Sequence, residues 1–195
     1  LLLVAACTLY AGPLPDAALS GAYTRIAGGL ADTQRDAAIE LLDAALEFDP
    51  GNGDAGYLKA RIMLNSGSGR SLKAPVAALE AALDDNRWEL VDSRDAVLLL
   101  AELYNRLRRY ESQYRLLLSV PTERRMSGDW YYLAARSRYF SDSRAAALSL
   151  LREGSRLFPE HREIEAMRIR TDDEYRDYLG KAVLDSRREA PTEEI

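Results

Sequence analysis

Cys7 and His161 are the only thiol and the only imidazole among 195 residues. A single thiol excludes an intrachain disulfide and any cysteine-built zinc site, and a single imidazole excludes most histidine-built metal or triad chemistry. Carboxylates are plentiful but stand as neighbours: Asp84-Asp85, Asp172-Asp173 and Glu193-Glu194. Adjacent helical residues point about 100° apart, so these pairs do not converge on a substrate and read as solvated faces and helix ends. Ser66-Gly67-Ser68-Gly69-Arg70-Ser71 has the composition of a phosphate-cradling loop. It lacks the G-x-x-x-x-G-K-[ST] pattern and follows a helical segment rather than a strand, so it reads as a flexible turn. His161, just after Phe158-Pro159, reads as an exposed side chain. Arg124-Arg125 and Arg187-Arg188 are too short for a nucleic-acid patch. The sequence therefore predicts no catalytic residue, no metal site and no cofactor; the chain reads as a non-enzyme.

The elements that would position any site are helical. Apolar residues make up 47% and charged residues 29%, enough for one good-sized domain with a core and a solvated surface. The 12 Gly and 7 Pro cluster between apolar segments. The 26 Lys and Arg are scattered among 31 Asp and Glu, a net charge of −5, which argues against nucleic acid as a partner. No apolar stretch reaches the roughly 18 to 20 residues that span a bilayer.

Four segments line up: Ile26–Pro50, Tyr57–Asn86, Val97–Pro121 and Trp130–Pro159. Each is an apolar helix, a short polar or Gly/Ser break and a second apolar helix. Ala27, Ala60, Ala101 and Ala134 recur at spacings of 33, 41 and 33; Leu42, Leu79, Leu117 and Leu151 recur at 37, 38 and 34. Three residues after those leucines stand Ala45, Ala82, Val120 and Gly154. Two helices per unit near this period resemble the tetratricopeptide repeat.

The fourth unit carries the motif best. Trp130, Leu133, Ala134 and Phe140 match its first helix; Ala147, Leu151, Gly154 and Pro159 match its second. The first unit supplies Ala38, Leu42, Ala45 and Pro50, and the third Leu100, Ala101, Tyr104, Leu107 and Tyr110 before Pro121 cuts it short. The second departs, with Gly56 and Lys59 where Trp and Leu belong. The resemblance implies an all-α helical-hairpin solenoid of about four repeats over residues 16–160. Over residues 161–195 a capping helix is followed by a polar tail from about Arg187. An irregular helical bundle would share the periodicity.

The N-terminus carries a second resemblance. Leu1 to Ala6 form an apolar run, and Val4-Ala5-Ala6-Cys7 resembles the lipobox of bacterial lipoproteins: an apolar residue, two small residues, an obligatory Cys. It implies a signal-peptide remnant over residues 1–7, lipidation of Cys7 and a tether over residues 8–15. The protein would then be anchored by acyl chains to a membrane of the bacterial cell envelope, facing the periplasm or the exterior.

In tetratricopeptide proteins one face of each first helix lines the concave surface. Carried over, these positions are Asp54, Tyr57, Arg61 and Asn65; Glu102, Asn105 and Arg106; and Tyr131, Ala135, Arg138 and Tyr139. Tyr and Arg are favoured in binding hot spots. The expected function is a non-enzymatic scaffold lipoprotein whose groove binds an envelope protein or peptide, with self-association left open. The alternative is a small-molecule-binding accessory protein of a periplasmic transporter. A third reading is an enzyme whose catalytic domain lies beyond residue 195.

Overall fold

The computed structural model describes residues 15–65, 71–85, 87–121, 127–141 and 143–189. Cys7, the turn at 66–70, Arg124 and Arg125 lie outside the described residues, as do residues 1–14 and 190–195. The described chain folds into α1 (Asp16–Leu30), α2 (Arg35–Phe48), α3 (Gly53–Asn65), α4 (Lys73–Asp85), α5 (Ser93–Arg106), α6 (Tyr110–Ser119), α7 (Gly128–Phe140), α8 (Arg144–Leu157) and α9 (Arg162–Glu189). Among the described residues there is no strand, only an isolated bridge between Asn52 and Arg87, and no helix is long and apolar enough to cross a membrane. Two compact units result, one through Leu100 and one from Ala101, with the boundary inside α5.

In the first unit α1 packs on α2, α2 on α3 and α3 on α4. The sequence of α2 shows why: Ala38, Leu42 and Ala45, at helical spacing, are all fully buried, while Asp36 complements the N-terminal dipole. They join Ala27, Ala55 and Ile62 in one core. The alanines let backbones approach; Leu42 fills the space left, a burial of about 1.5–3 kcal/mol. Pro50, which has no N–H to continue the ladder, follows the end of α2.

In the second unit α6 packs on α7, α7 on α8, and α9 on both α8 and α7. Ser127 caps α7, its Oγ accepting the Trp130 backbone N–H at 3.1 Å. Ala147, Leu148, Leu151 and Gly154 form the buried face of α8. The first turns of α9 are interior through Ile164, Met167 and Thr171, whereas Tyr178 is 61% exposed. This is one helix, and it runs past Arg187, where the sequence suggested a tail, to Glu189.

Between α5 and α6 the chain turns through Arg108, whose φ is 57°. The Arg109 N–H reaches the Tyr104 carbonyl at 2.8 Å and the Arg108 N–H the Asn105 carbonyl at 3.0 Å. This pairing satisfies the last carbonyls of α5, with an arginine in the left-handed position where glycine is the usual occupant.

Candidate functional site

The first unit builds its site at the N-terminus of α3. Asn52 bridges: its Oδ1 accepts the Ala55 N–H at 3.0 Å, and its Nδ2 donates to Ser20 Oγ at 2.8 Å and Thr24 Oγ1 at 3.0 Å. One side chain thus caps α3 and ties it to α1. Asp54, in the first turn of α3, is 3% exposed. Its Oδ2 accepts the backbone N–H groups of Glu89 (2.8 Å) and Leu90 (3.1 Å), and its Oδ1 that of Val91 (2.9 Å). The 87–91 segment is thereby folded over the start of α3.

That segment carries Trp88. Its indole lies against Gly53, where a Cβ would stand 2.6 Å from the ring, so only glycine admits this approach. The Tyr57 ring meets it edge-on at 6.5 Å, and the Arg61 guanidinium lies over Tyr57 at 5.6 Å. A cavity of about 350 Å³ opens beside it, lined by Gly21, Arg25, Asn52, Arg87 and Trp88 among others. Arg87 is held by Asp49 at 2.9 Å. The Trp88 Nε1 is buried and has no hydrogen-bond partner among the described residues.

In the second unit Tyr139 donates its hydroxyl to Glu174 Oε2 at 2.5 Å, and the Arg144 and Arg170 guanidiniums flank its ring at 5.7 and 5.4 Å. That hydrogen bond, with partial burial, raises the phenol's pKa above its ordinary value. Arg138 lies over Tyr114 at 4.8 Å and stands 3.8 Å from Glu111. Beside them a cavity of about 300 Å³ lies between α7 and α9, walled by Tyr132, Arg136, Phe140, Glu163, Met167 and Arg170. The Arg136 guanidinium sits between the Tyr132 and Phe140 rings at 5.9 and 5.7 Å, and its Nη1 donates to the Tyr132 hydroxyl at 2.8 Å.

The positions carried over from the repeat motif divide. Arg61, Asn65, Glu102 and Arg106 are exposed; Asn105, Arg138 and Tyr139 are half-buried. Desolvation of the Glu102 carboxylate, reinforced by Asp129 and opposed by Arg106, raises its pKa above the usual range. Asp54, Tyr57, Tyr131 and Ala135 instead face the interior. Asp54 is spent on backbone amides, and Tyr131 packs on Phe158 while its hydroxyl bonds Glu153 Oε1 at 3.1 Å. On α7 Tyr132 and Arg136, one residue on from the buried Tyr131 and Ala135, are partly accessible, as are Arg138 and Tyr139, which the motif gave. One residue is a rotation of about 100°, enough to exchange core for solvent. The spacing of Tyr132, Arg136 and Phe140, four residues apart, was the available signal.

His161 also departs from its expected exposure. It packs on Gly128, with its side chain 18% exposed, 3.1 Å from Asp129 and 3.3 Å from Glu163. Asp172 is likewise no bare surface carboxylate, being held by Arg152 at 2.9 Å and Arg176 at 2.6 Å.

No family model matches the chain, and no curated protein is similar to it in sequence. Solved structures resemble it in fold. YrrB, described as a TPR protein with an unusual peptide-binding site, superposes with a TM-score of 0.67 at 16% identity, covering 79% of this chain and 76% of that one. PilF of Pseudomonas aeruginosa gives 0.62 at 18% identity, covering 84% and 72%, and MamA of AMB-1 gives 0.63 at 14%, covering 89% and 94%. With its successive helical hairpins, alanine-lined crossings and proline-terminated second helices, the chain has the all-α, tetratricopeptide-like solenoid fold.

Proposed function

We propose that this protein is a non-enzymatic scaffold that binds an extended segment of another envelope protein along the first helices of its hairpins, tethered to a bacterial membrane through a lipid on Cys7. One observation carries the binding reading. Guanidinium and aromatic side chains, Arg25, Arg87 and Trp88 in one unit and Tyr132, Arg136 and Phe140 in the other, stand around open cavities. Such side chains give large contact area at low entropic cost. The peptide-binding site named for YrrB, which shares the fold, supports the same reading by analogy. The anchor rests on the Val4-Ala5-Ala6-Cys7 pattern alone. The cavity beside Trp88, with Arg25 and Arg87 in its wall, favours the second reading, a holder of a small organic anion for a transporter.

Expressed behind a complete signal peptide in a bacterium, the protein is expected to incorporate labelled palmitate and partition with membranes. Cys7→Ser should abolish both; uptake of no label by the wild type would end the anchor reading. For the groove, Arg61→Ala, Arg106→Ala, Tyr132→Ala and Arg138→Ala are to be compared in envelope pull-downs with Glu40→Ala and Arg156→Ala, exposed residues of second helices. At least two groove variants should weaken capture by about 1–2 kcal/mol each while the controls keep it. Equal retention by both sets would move the binding surface off the first helices.

A further inference from the structure

We infer that the cavity between α7 and α9 seats an acidic side chain of the bound segment, with an apolar side chain beside it. This rests on the protein-binding reading above and adds the chemistry of the partner.

Charge is the first observation. The chain is acidic, yet residues 106–144 carry nine arginines and no lysine against four carboxylates. Residues 1–100 carry eight Lys and Arg against fourteen Asp and Glu. Of the arginines in this stretch Arg136 lines the α7–α9 cavity, between the Tyr132 and Phe140 rings, and Arg170 of α9 faces it from the other side.

Geometry is the second. Arg136 is half-buried and fixed between two rings, with one nitrogen donating to Tyr132. Among the described residues it has no carboxylate partner. Arg170, across the cavity on α9, spreads over Tyr139 and stands 3.9 Å from Glu174, at the outer limit of an ion pair. Glu163, the one carboxylate on the wall among the described residues, is 3.3 Å from His161 Nδ1. Two guanidiniums thus share a cavity of about 300 Å³ with a single anion. A half-buried guanidinium without a counter-ion is held at a cost in desolvation, and a carboxylate that binds both would offset it with charge-assisted hydrogen bonds. Cationic ligands meet repulsion from the same pair.

Size and polarity are the third. The remaining wall is Phe140, 45% exposed, with Met167 and Ala166. About 300 Å³ is at the lower end for a ligand site and has room for an acidic side chain and one apolar neighbour. The acidic side chain and its apolar neighbour are taken to come from an extended stretch of the partner, in keeping with the binding reading above.

The test uses fluorescence anisotropy of the full chain with a fluorescein-labelled Gly-Glu-Leu-Gly-Glu-Leu-Gly peptide and the same peptide with Gln for Glu. The Glu peptide should bind about 10-fold tighter and weaken with salt. Arg136→Gln and Arg170→Gln should each reduce its affinity about 5- to 10-fold, with Arg156→Gln unchanged. Arg136→Lys, which keeps charge and stem, guards against a folding defect and should fall between. Equal affinity for the two peptides overturns the acidic seat and leaves the scaffold reading standing. So does a full response in Arg136→Gln, or capture of a partner in pull-downs with neither peptide bound. A dimer in light scattering at roughly 100 µM that Arg136→Gln dissolves would make a second copy, through its acidic residues 1–100, the occupant, and would also overturn the proposal.

Discussion

Replacing Trp130 by Ala is expected to lower the free energy of unfolding by about 3–5 kcal/mol, in the range of large-to-small changes in a core. The side chain is 5% exposed and packs edge-on against Tyr131 at 5.1 Å. It also makes a bond that the end of α6 requires. Leu117 lies in the last turn of α6, where carbonyls lose their helical donors. The donor four residues on would be the amide of residue 121, but that residue is Pro121, which has no N–H. The Val120 N–H reaches the Leu117 carbonyl only at 3.4 Å. The Trp130 indole N–H fills the gap at 2.9 Å. The proline that ends one hairpin therefore creates the acceptor that the tryptophan of the next one satisfies. Trp130→Phe separates the two contributions: it keeps most of the packing, removes the donor, and should cost about 1–2 kcal/mol. Urea unfolding followed by far-UV circular dichroism checks both. A loss below about 1 kcal/mol for Trp130→Ala would mean that neither contribution holds the α6–α7 contact together.

What the sequence showed and hid divides by the range of the interactions. Small residues at fixed spacing, the prolines after second helices and Trp130 were legible because each recurs at a set place in the helical period of its own segment. Ala27, Ala38, Ala45, Leu42, Ala134, Ala147 and Leu151 are all fully buried, and the hairpins follow from them. The second repeat, Tyr57–Asn86, looked weakest because Gly56 stood where a tryptophan was expected. In the fold Gly56 serves close packing instead. A Cβ there would lie 2.8 Å from that of Ala82, so glycine brings α3 onto α4. Faces were harder to read than helices. A motif shifted by one residue still marks the right helix, yet it exchanged Tyr131 for Tyr132 and Ala135 for Arg136. Trp88 and its loop were invisible for another reason. They lie between the matched helices, and what fixes them is Asp54, 34 residues before Trp88 in the chain, through bonds to main-chain amides that no side-chain pattern records.

The same loop supports the second large effect. Asp54→Ala should cost about 3 kcal/mol, because three backbone amides lose a charged acceptor together. Exposure of Glu89 and Leu90 allows part of that to be recovered by water, which keeps the figure below a full sum of three charged bonds. Placement in the first turn of α3 adds the favourable interaction of a carboxylate with the helix N-terminus, about 0.3–1 kcal/mol, also lost. Asp54→Asn should be little better. The amide group offers one acceptor oxygen where two are in use, and its NH₂ would be turned toward an N–H of the loop. Hydrogen exchange gives the direct reading. The amides of Glu89, Leu90 and Val91 should exchange at least about 10-fold faster in either variant, while those of α8 in the other unit stay protected. Trp88 is the sensor of the consequence: once the loop lifts, its indole leaves Gly53 and Tyr57, and the wall of the cavity beside α1 goes with it. A stability loss below about 1 kcal/mol with unchanged exchange at residues 89–91 would show that the loop holds its place without Asp54. Loss of the exchange protection with retained capture of a partner by Arg61 and its neighbours would separate the fold of this loop from binding. If capture falls with it, Asp54 belongs to the binding surface after all, through the Trp88 that it positions.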